Sequence, residues 1–294
     1  MEKKTVFFGV GTALITPFRD GKIDYDTLGR LIDFQIEGGV DALVIGGTTG
    51  EAATLSDSER YEMYAFAKEK IGGRTKLVLG TGTNDTRVAV SHTEYAEKIG
   101  ADAALVVTPY YNKGTEEGVY RHYLAIAESA RLPIILYNVP GRTGVNLGYN
   151  LLERLSECES IVGIKEASDS SDRLVRLSSF GTRLPLYAGN DTQIYTSLSL
   201  GGCGVISVIS NILPSLVVKI CRLYTDGERK KSLALQQSML PLIDAMFTET
   251  NPAPVKYAME RLGLCSGELR LPLSAVREST KEKIVRELSG LGLI

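Results

Sequence analysis

Pro133-Ile134-Ile135-Leu136-Tyr137-Asn138, then an amphipathic stretch from Asn150 to Cys158, then Ile161-Val162-Gly163-Ile164-Lys165: two short apolar runs flank one helical pattern. Runs this short, rich in isoleucine and valine and bounded by turn-forming residues, predict parallel strands buried on both faces and joined by a crossover helix. The same unit recurs on either side. Apolar runs fall at Gly11 to Thr16, Ala42 to Gly46, Lys76 to Gly80, Ala103 to Thr108, Leu186 to Gly189 and Gly204 to Val208, which with the first two make eight. Helical patterns separate them at Asp24 to Gly38, Ser56 to Ile71, Thr86 to Gly100 and Gly118 to Ala130. Eight βα repeats in little over two hundred residues predict a closed (β/α)8 TIM barrel rather than an open doubly wound sheet. A G-x-G-x-x-G turn with its distant acidic residue is also missing, which argues against a dinucleotide fold. From Pro214 onward the pattern is helical, with breaks near Asp226-Gly227, Asn251-Pro252 and Pro272. The expected division is therefore a catalytic barrel over 1–224 and a C-terminal helical extension over 225–294, packed on the barrel as one unit.

Composition narrows the function. The 294 residues are 44% hydrophobic, with 33 Lys+Arg against 35 Asp+Glu. That balance supplies no basic field for a nucleic acid. The four cysteines, at 158, 203, 221 and 265, lack paired spacing and read as reduced core thiols of a cytoplasmic protein. His92 and His122 stand apart in the sequence, and no ligand spacing points to a metal. Lys3 and Lys4 before the apolar stretch Thr5 to Ile15 imitate a secretion signal, but Gly9 and Gly11 interrupt the stretch and a strand-turn pattern follows, so no signal is expected. No apolar run approaches the roughly 20 residues of a membrane span.

In such a barrel the active site gathers where the strands end. Strand alternation sets Ile161, Gly163 and Lys165 on one face and Val162, Ile164 and Glu166 on the other. If Lys165 faces the barrel, no adjacent carboxylate accompanies it, its charged form is disfavoured, and a neutral amine becomes available to attack a carbonyl. The other reading is a strand-end lysine that snorkels to solvent. Gly163, one pleat below, would leave room for a substrate. Tyr137 shares a face with Ile135 and ends beside Lys165; it is either a proton donor for Schiff-base chemistry or a core tyrosine tied to the backbone. Gly46-Gly47-Thr48-Thr49-Gly50 offers amide N–H groups and two hydroxyls opening a helix, which makes it either a carboxylate cradle or merely a turn with its cap. Arg142, after Pro140-Gly141, presents a planar fork for a carboxylate or else stays solvated.

These strand ends, with Gly11-Thr12-Ala13, Thr16-Pro17-Phe18, Gly47-Thr48-Thr49-Gly50-Glu51, Gly80-Thr81-Gly82-Thr83-Asn84, Pro109-Tyr110-Tyr111-Asn112-Lys113, Tyr137 to Thr143, Gly163 to Glu166 and Asn251-Pro252-Ala253-Pro254-Val255-Lys256, resemble the dihydrodipicolinate synthase (4-hydroxy-tetrahydrodipicolinate synthase) family over nearly the whole chain. That family lies within the pyruvate-dependent class I aldolases, which include N-acetylneuraminate lyase. The resemblance implies condensation of pyruvate with L-aspartate-4-semialdehyde, the first committed step of the diaminopimelate route to lysine, without metal or organic cofactor. It implies that Lys165 forms the imine and that Tyr137, Thr48 and Tyr111 relay protons, with Tyr111 reaching a neighbouring subunit's site across a tight dimer; the family shows both dimers and tetramers, and a homotetramer built from two such dimers is the expectation here. It further implies that Thr49 joins Thr48 on the pyruvate carboxylate, that Gly189 and Ile206 line the pocket, and that Arg142 holds the aldehyde's carboxylate. A different aldolase would release pyruvate in the retro direction and ignore the semialdehyde, and a non-catalytic oxo-acid binder would lack Lys165, Tyr137 or Arg142. In lysine-inhibited members the effector meets histidines and a glutamate; Asp57, Arg60 and Val88 stand at the matching positions, with Ala52 for a small polar residue, while Asn84 and Tyr110 remain. Lysine inhibition is therefore expected to be weak or absent.

Overall fold

The computed structural model describes residues 3–294. Eight parallel strands close into a barrel in sequence order: β1 (Gly9–Ala13), β2 (Ala42–Ile45), β3 (Lys76–Gly80), β4 (Ala103–Val107), β5 (Ile134–Asn138), β6 (Ile161–Glu166), β7 (Leu186–Ala188) and β8 (Gly204–Ser207). The ring shuts where β8 pairs β1 with Gly204 opposite Gly9. A Cβ on Gly204 would lie 1.9 Å from the Gly9 carbonyl oxygen, and its φ of +143° suits no other residue, so this seam depends on glycine. β1 begins and ends earlier than the Gly11 to Thr16 run: Leu14 still bonds Val44, but Thr16 turns its hydroxyl to the Gly50 carbonyl.

The strands alternate between two apolar clusters. Leu43, Leu79, Val106, Leu136 and Ile164 face the helices, whereas Val44, Val78, Leu105, Ile135 and Ile206 fill the barrel. Fully burying one such aliphatic side chain contributes about 2 kcal/mol. Phe7 and Tyr187 plug the barrel floor, with ring centroids 4.6 Å apart and the Tyr187 hydroxyl donating to the Phe7 carbonyl.

The surrounding helices start on caps that the sequence supplies. Asp24 caps α1 (Tyr25–Glu37), and Ser56 with Glu59 forms a capping box on α2 (Asp57–Ile71), which stops at Gly72 in the left-handed region. Asp85 caps α3 (Thr86–Lys98) and Thr115 caps α4 (Glu116–Ser129). A single helical turn, α5 (Pro140–Thr143), precedes α6 (Tyr149–Ser156), and α7 (Ser171–Ser178) and α8 (Ile194–Ser199) follow their strands. After β8 come α9 (Pro214–Thr225), α10 (Arg229–Met246), α11 (Ala253–Arg261) and α12 (Glu278–Gly290). Two of the four thiols, Cys158 and Cys265, are only partly buried, which departs from the expectation of four core thiols; all four are free. Among the described residues no helix is long and apolar enough to cross a membrane.

Candidate active site

Register places Tyr137 directly opposite Lys165 on adjacent strands. Lys165 is only 5% exposed, and its Nζ lies 4.3 Å from the centroid of the Tyr137 ring, within the range of a cation–π contact. The strand does not reach this arrangement by simple alternation. Pairing of β5 with β6 slips between Ile134 and Ile135, so that Ile134 faces Ile161 while Ile135 faces Gly163. Val162 is the extra residue: it joins the cluster inside the barrel, and Ile161 joins the outer one. The sequence reading of Ile161 and Lys165 on one face is thereby corrected, because the bulge resets the alternation just before the lysine. Gly163 also differs from expectation. A Cβ there would meet the Pro185 carbonyl at 2.9 Å and the Tyr187 ring at 3.3 Å, so the glycine admits the floor tyrosine rather than a substrate.

Glu166 turns away from Lys165, as the alternation requires, and is fully buried. Arg173 Nε donates to its Oε2 at 2.7 Å, Asn138 Nδ2 lies 3.0 Å from both oxygens, and the Ser168 amide donates to Oε1. These partners satisfy the carboxylate and lock the end of β6 that carries Lys165.

Tyr137, Thr48 and Arg142 line one cavity of about 450 Å³. Among the described residues the amides of Thr48 and Thr49 donate to no protein acceptor, which leaves two N–H groups for an anion. The turn does not open a helix directly. A 3₁₀ turn, Ala52–Thr54, intervenes and α2 starts only at Asp57, so the cradle relies on its own amides instead of a helix terminus. Gly189 donates its amide to the Glu166 carbonyl at 2.7 Å, and a Cβ on it would strike that oxygen, so it lets β7 close against the lysine strand. Ile206 is buried inside the barrel. Tyr111 stands apart: it is 87% exposed, with φ of +72°, and among the described residues no hydrogen bond ties it to Thr48 or Tyr137.

Several residues around the cavity carried no assigned role in the sequence reading. Glu51, in the left-handed region at φ +53°, is fully enclosed and pairs with Lys256 of α11 through Oε1, while its Oε2 accepts from the Arg270 amide. Asn251 donates from Nδ2 to Thr49 Oγ1 and accepts from Arg142 at its carbonyl, both at 2.9 Å. Asp191 is buried with Oδ2 accepting from the Val208 and Ile209 amides, and burial pushes its carboxyl above the ordinary range. One signal was available: Lys256 sits on a helix face otherwise made of Ala253, Val255 and Met259, and a charge there requires a partner. Near the effector-type positions, Asp57 already holds His92, Oδ1 to Nε2 at 2.9 Å, and Arg60 donates to the Ala52 carbonyl.

A buried lysine on a phenol's ring face at the C-terminal rim of a closed (β/α)8 barrel, with that phenol sharing a cavity with a turn of unspent amides, marks an enzyme of the aldolase-type lyase class. The family model described as "Dihydrodipicolinate synthetase family" matches residues 6–291. A Clostridium novyi relative named 4-hydroxy-tetrahydrodipicolinate synthase is 44% identical over 97% of this chain and 96% of its own length. An Acetivibrio thermocellus relative of the same name is also 44% identical, over 99% of this chain and all of its own. The crystal structure of a dihydrodipicolinate synthase from Thermotoga maritima superposes with a TM-score of 0.96 at 42% identity, covering 99% of this chain and all of that one. The chain belongs to the dihydrodipicolinate synthetase family.

Proposed function

We propose that this protein condenses pyruvate with L-aspartate-4-semialdehyde through an imine on Lys165. The observation that carries the reading is the enclosed Lys165 amine on the face of Tyr137, turned away from Glu166. The amine attacks the pyruvate carbonyl and water departs. The protonated imine then draws electrons from the methyl carbon, which loses a proton to give an enamine, and the enamine attacks the aldehyde. Closure by the aldehyde substrate's own amine at the imine carbon displaces Lys165 and forms the cyclic product, so the lysine returns without separate hydrolysis.

Tyr137 and Thr48 would move protons at the carbinolamine and at the methyl carbon. Thr49 and the Thr48 and Thr49 amides would hold the pyruvate carboxylate, with Gly189 and Ile206 shaping the pocket. Arg142 would hold the second substrate's carboxylate through its planar fork. Tyr111 would complete the relay in a neighbouring protomer, which makes a tight dimer the catalytic unit and a tetramer of two such dimers the expected assembly. Its 87% exposure and left-handed backbone support that reading, because they hold the ring out from its own barrel. Residues 1–224 serve as the catalytic barrel and 225–294 as the helical extension, and the expected compartment is the cytoplasm.

The test is intact mass after pyruvate and borohydride. Wild type should gain one pyruvate-sized adduct that Lys165→Ala lacks. No adduct on a folded wild type would sink the imine mechanism.

A further inference from the structure

Thr49 and Arg142, on two different loops, both lean on Asn251, which lines the cavity, is 5% exposed and comes from the segment entering α11. The two contacts differ in kind. Arg142 Nη2 reaches the main-chain carbonyl of Asn251, whereas Thr49 Oγ1 receives the side-chain amide N–H. A threonine hydroxyl has one proton to give. With its oxygen accepting from Asn251 and no protein acceptor recorded for that proton among the described residues, the proton is left for a ligand. The other side-chain atom, Oδ1, is buried without a partner, so the amide is held by the Thr49 contact alone.

We propose that the Asn251 side chain is a positioning residue for pyruvate: by donating to Thr49 Oγ1 it forces that hydroxyl to act as a donor toward the substrate carboxylate. The proposal rests on Thr49 being a carboxylate-binding group, as set out above. A residue of the C-terminal extension thereby sets the hydrogen-bond polarity of a barrel loop, while Arg142 is steadied separately by the backbone.

The polarity makes a sharp distinction between two substitutions. Asn251→Ala removes the donor and frees the Thr49 rotor. Asn251→Asp keeps the shape but, once ionised, can only accept, so Thr49 must donate to it and present lone pairs to the incoming carboxylate. A role in packing alone would rank the isosteric Asp as the milder change.

The experiment titrates pyruvate in the borohydride trap and reads half-saturation by intact mass. The expected rise is about tenfold for Asn251→Ala and about a hundredfold for Asn251→Asp, the loss of the hydroxyl's enforced orientation in the first and its reversal in the second. The KM for the aldehyde should rise far less in Asn251→Ala, because the carbonyl that holds Arg142 is retained. In a Thr49→Val background, which has no hydroxyl to orient, Asn251→Asp should add little. Wild-type half-saturation in Asn251→Asp, or an undiminished effect of Asn251→Asp in the Thr49→Val background, overturns the proposal. Failure of wild type to form any adduct would instead strike the imine mechanism itself, so the two failures are told apart.

Discussion

Replacing Lys256 by methionine should cost about 4 kcal/mol of folding stability, the range expected when one partner of a buried ion pair is removed. Both side chains are fully buried, and burial holds the Lys256 ammonium below the ordinary lysine range against the opposing pull of Glu51. After Lys256→Met, Glu51 keeps only the Arg270 amide, 3.0 Å from Oε2. The converse change, Glu51→Gln, leaves the ammonium with the Glu268 carbonyl at 2.8 Å and the Phe18 ring face at 4.2 Å, so about 3 kcal/mol is the expected cost. In the double variant the carboxamide still meets the Arg270 amide and the methionine lies along Phe18 with no stranded charge. Its stability should return to within about 2 kcal/mol of wild type. The assay is urea denaturation at one fixed protomer concentration, since subunit association adds to apparent stability. For a chain of this size Lys256→Met should also lower Tm by roughly 8 °C. Single variants costing under about 1 kcal/mol, or a double variant as unstable as both singles combined, would refute the account of an ion pair whose partners need each other.

Three further outcomes are open to direct measurement. Burial pulls the His122 imidazole down to about 4, with Nδ1 on Thr86 Oγ1. The unfolded chain takes up the proton below about pH 6.5 and the folded one only near pH 4, so stability is lost as pH falls through that window, by about 3 kcal/mol in all; His122→Gln should flatten this part of a pH–stability curve. Tyr111→Phe should lower kcat by about a hundredfold while the Lys165–pyruvate adduct still forms, and light scattering with an activity dilution series should show activity vanishing as the oligomer dissociates, so a fully active monomer would count against the shared site. Lysine should inhibit weakly or not at all, because Val88 offers no charge to an ammonium and Asp57 is already bonded to His92; half-inhibition at submillimolar lysine in a steady-state assay would overturn this.

The repeat of short apolar runs and amphipathic helices determined the barrel, because a parallel strand buried on both faces and a helix packed on it leave distinct periods in the chain. Local chemistry was equally legible: Asp24, Ser56 and Gly72 bound their helices through contacts to residues only a few positions away. Lys165, Tyr137, Thr48 and Arg142 stood out because strand ends meet at one rim in this architecture. What only the tertiary structure decided are the contacts between distant segments. The bulge at Val162 depends on pairing with β5, which alternation within a single strand does not register. Gly163 is small because Tyr187 of the next strand needs the space. Glu51 with Lys256, and Asn251 with Thr49, are some two hundred residues apart, and a hydrogen bond between such partners leaves no local period. Their polar atoms acquire a cost, and so a need for one another, only when packing removes both from water.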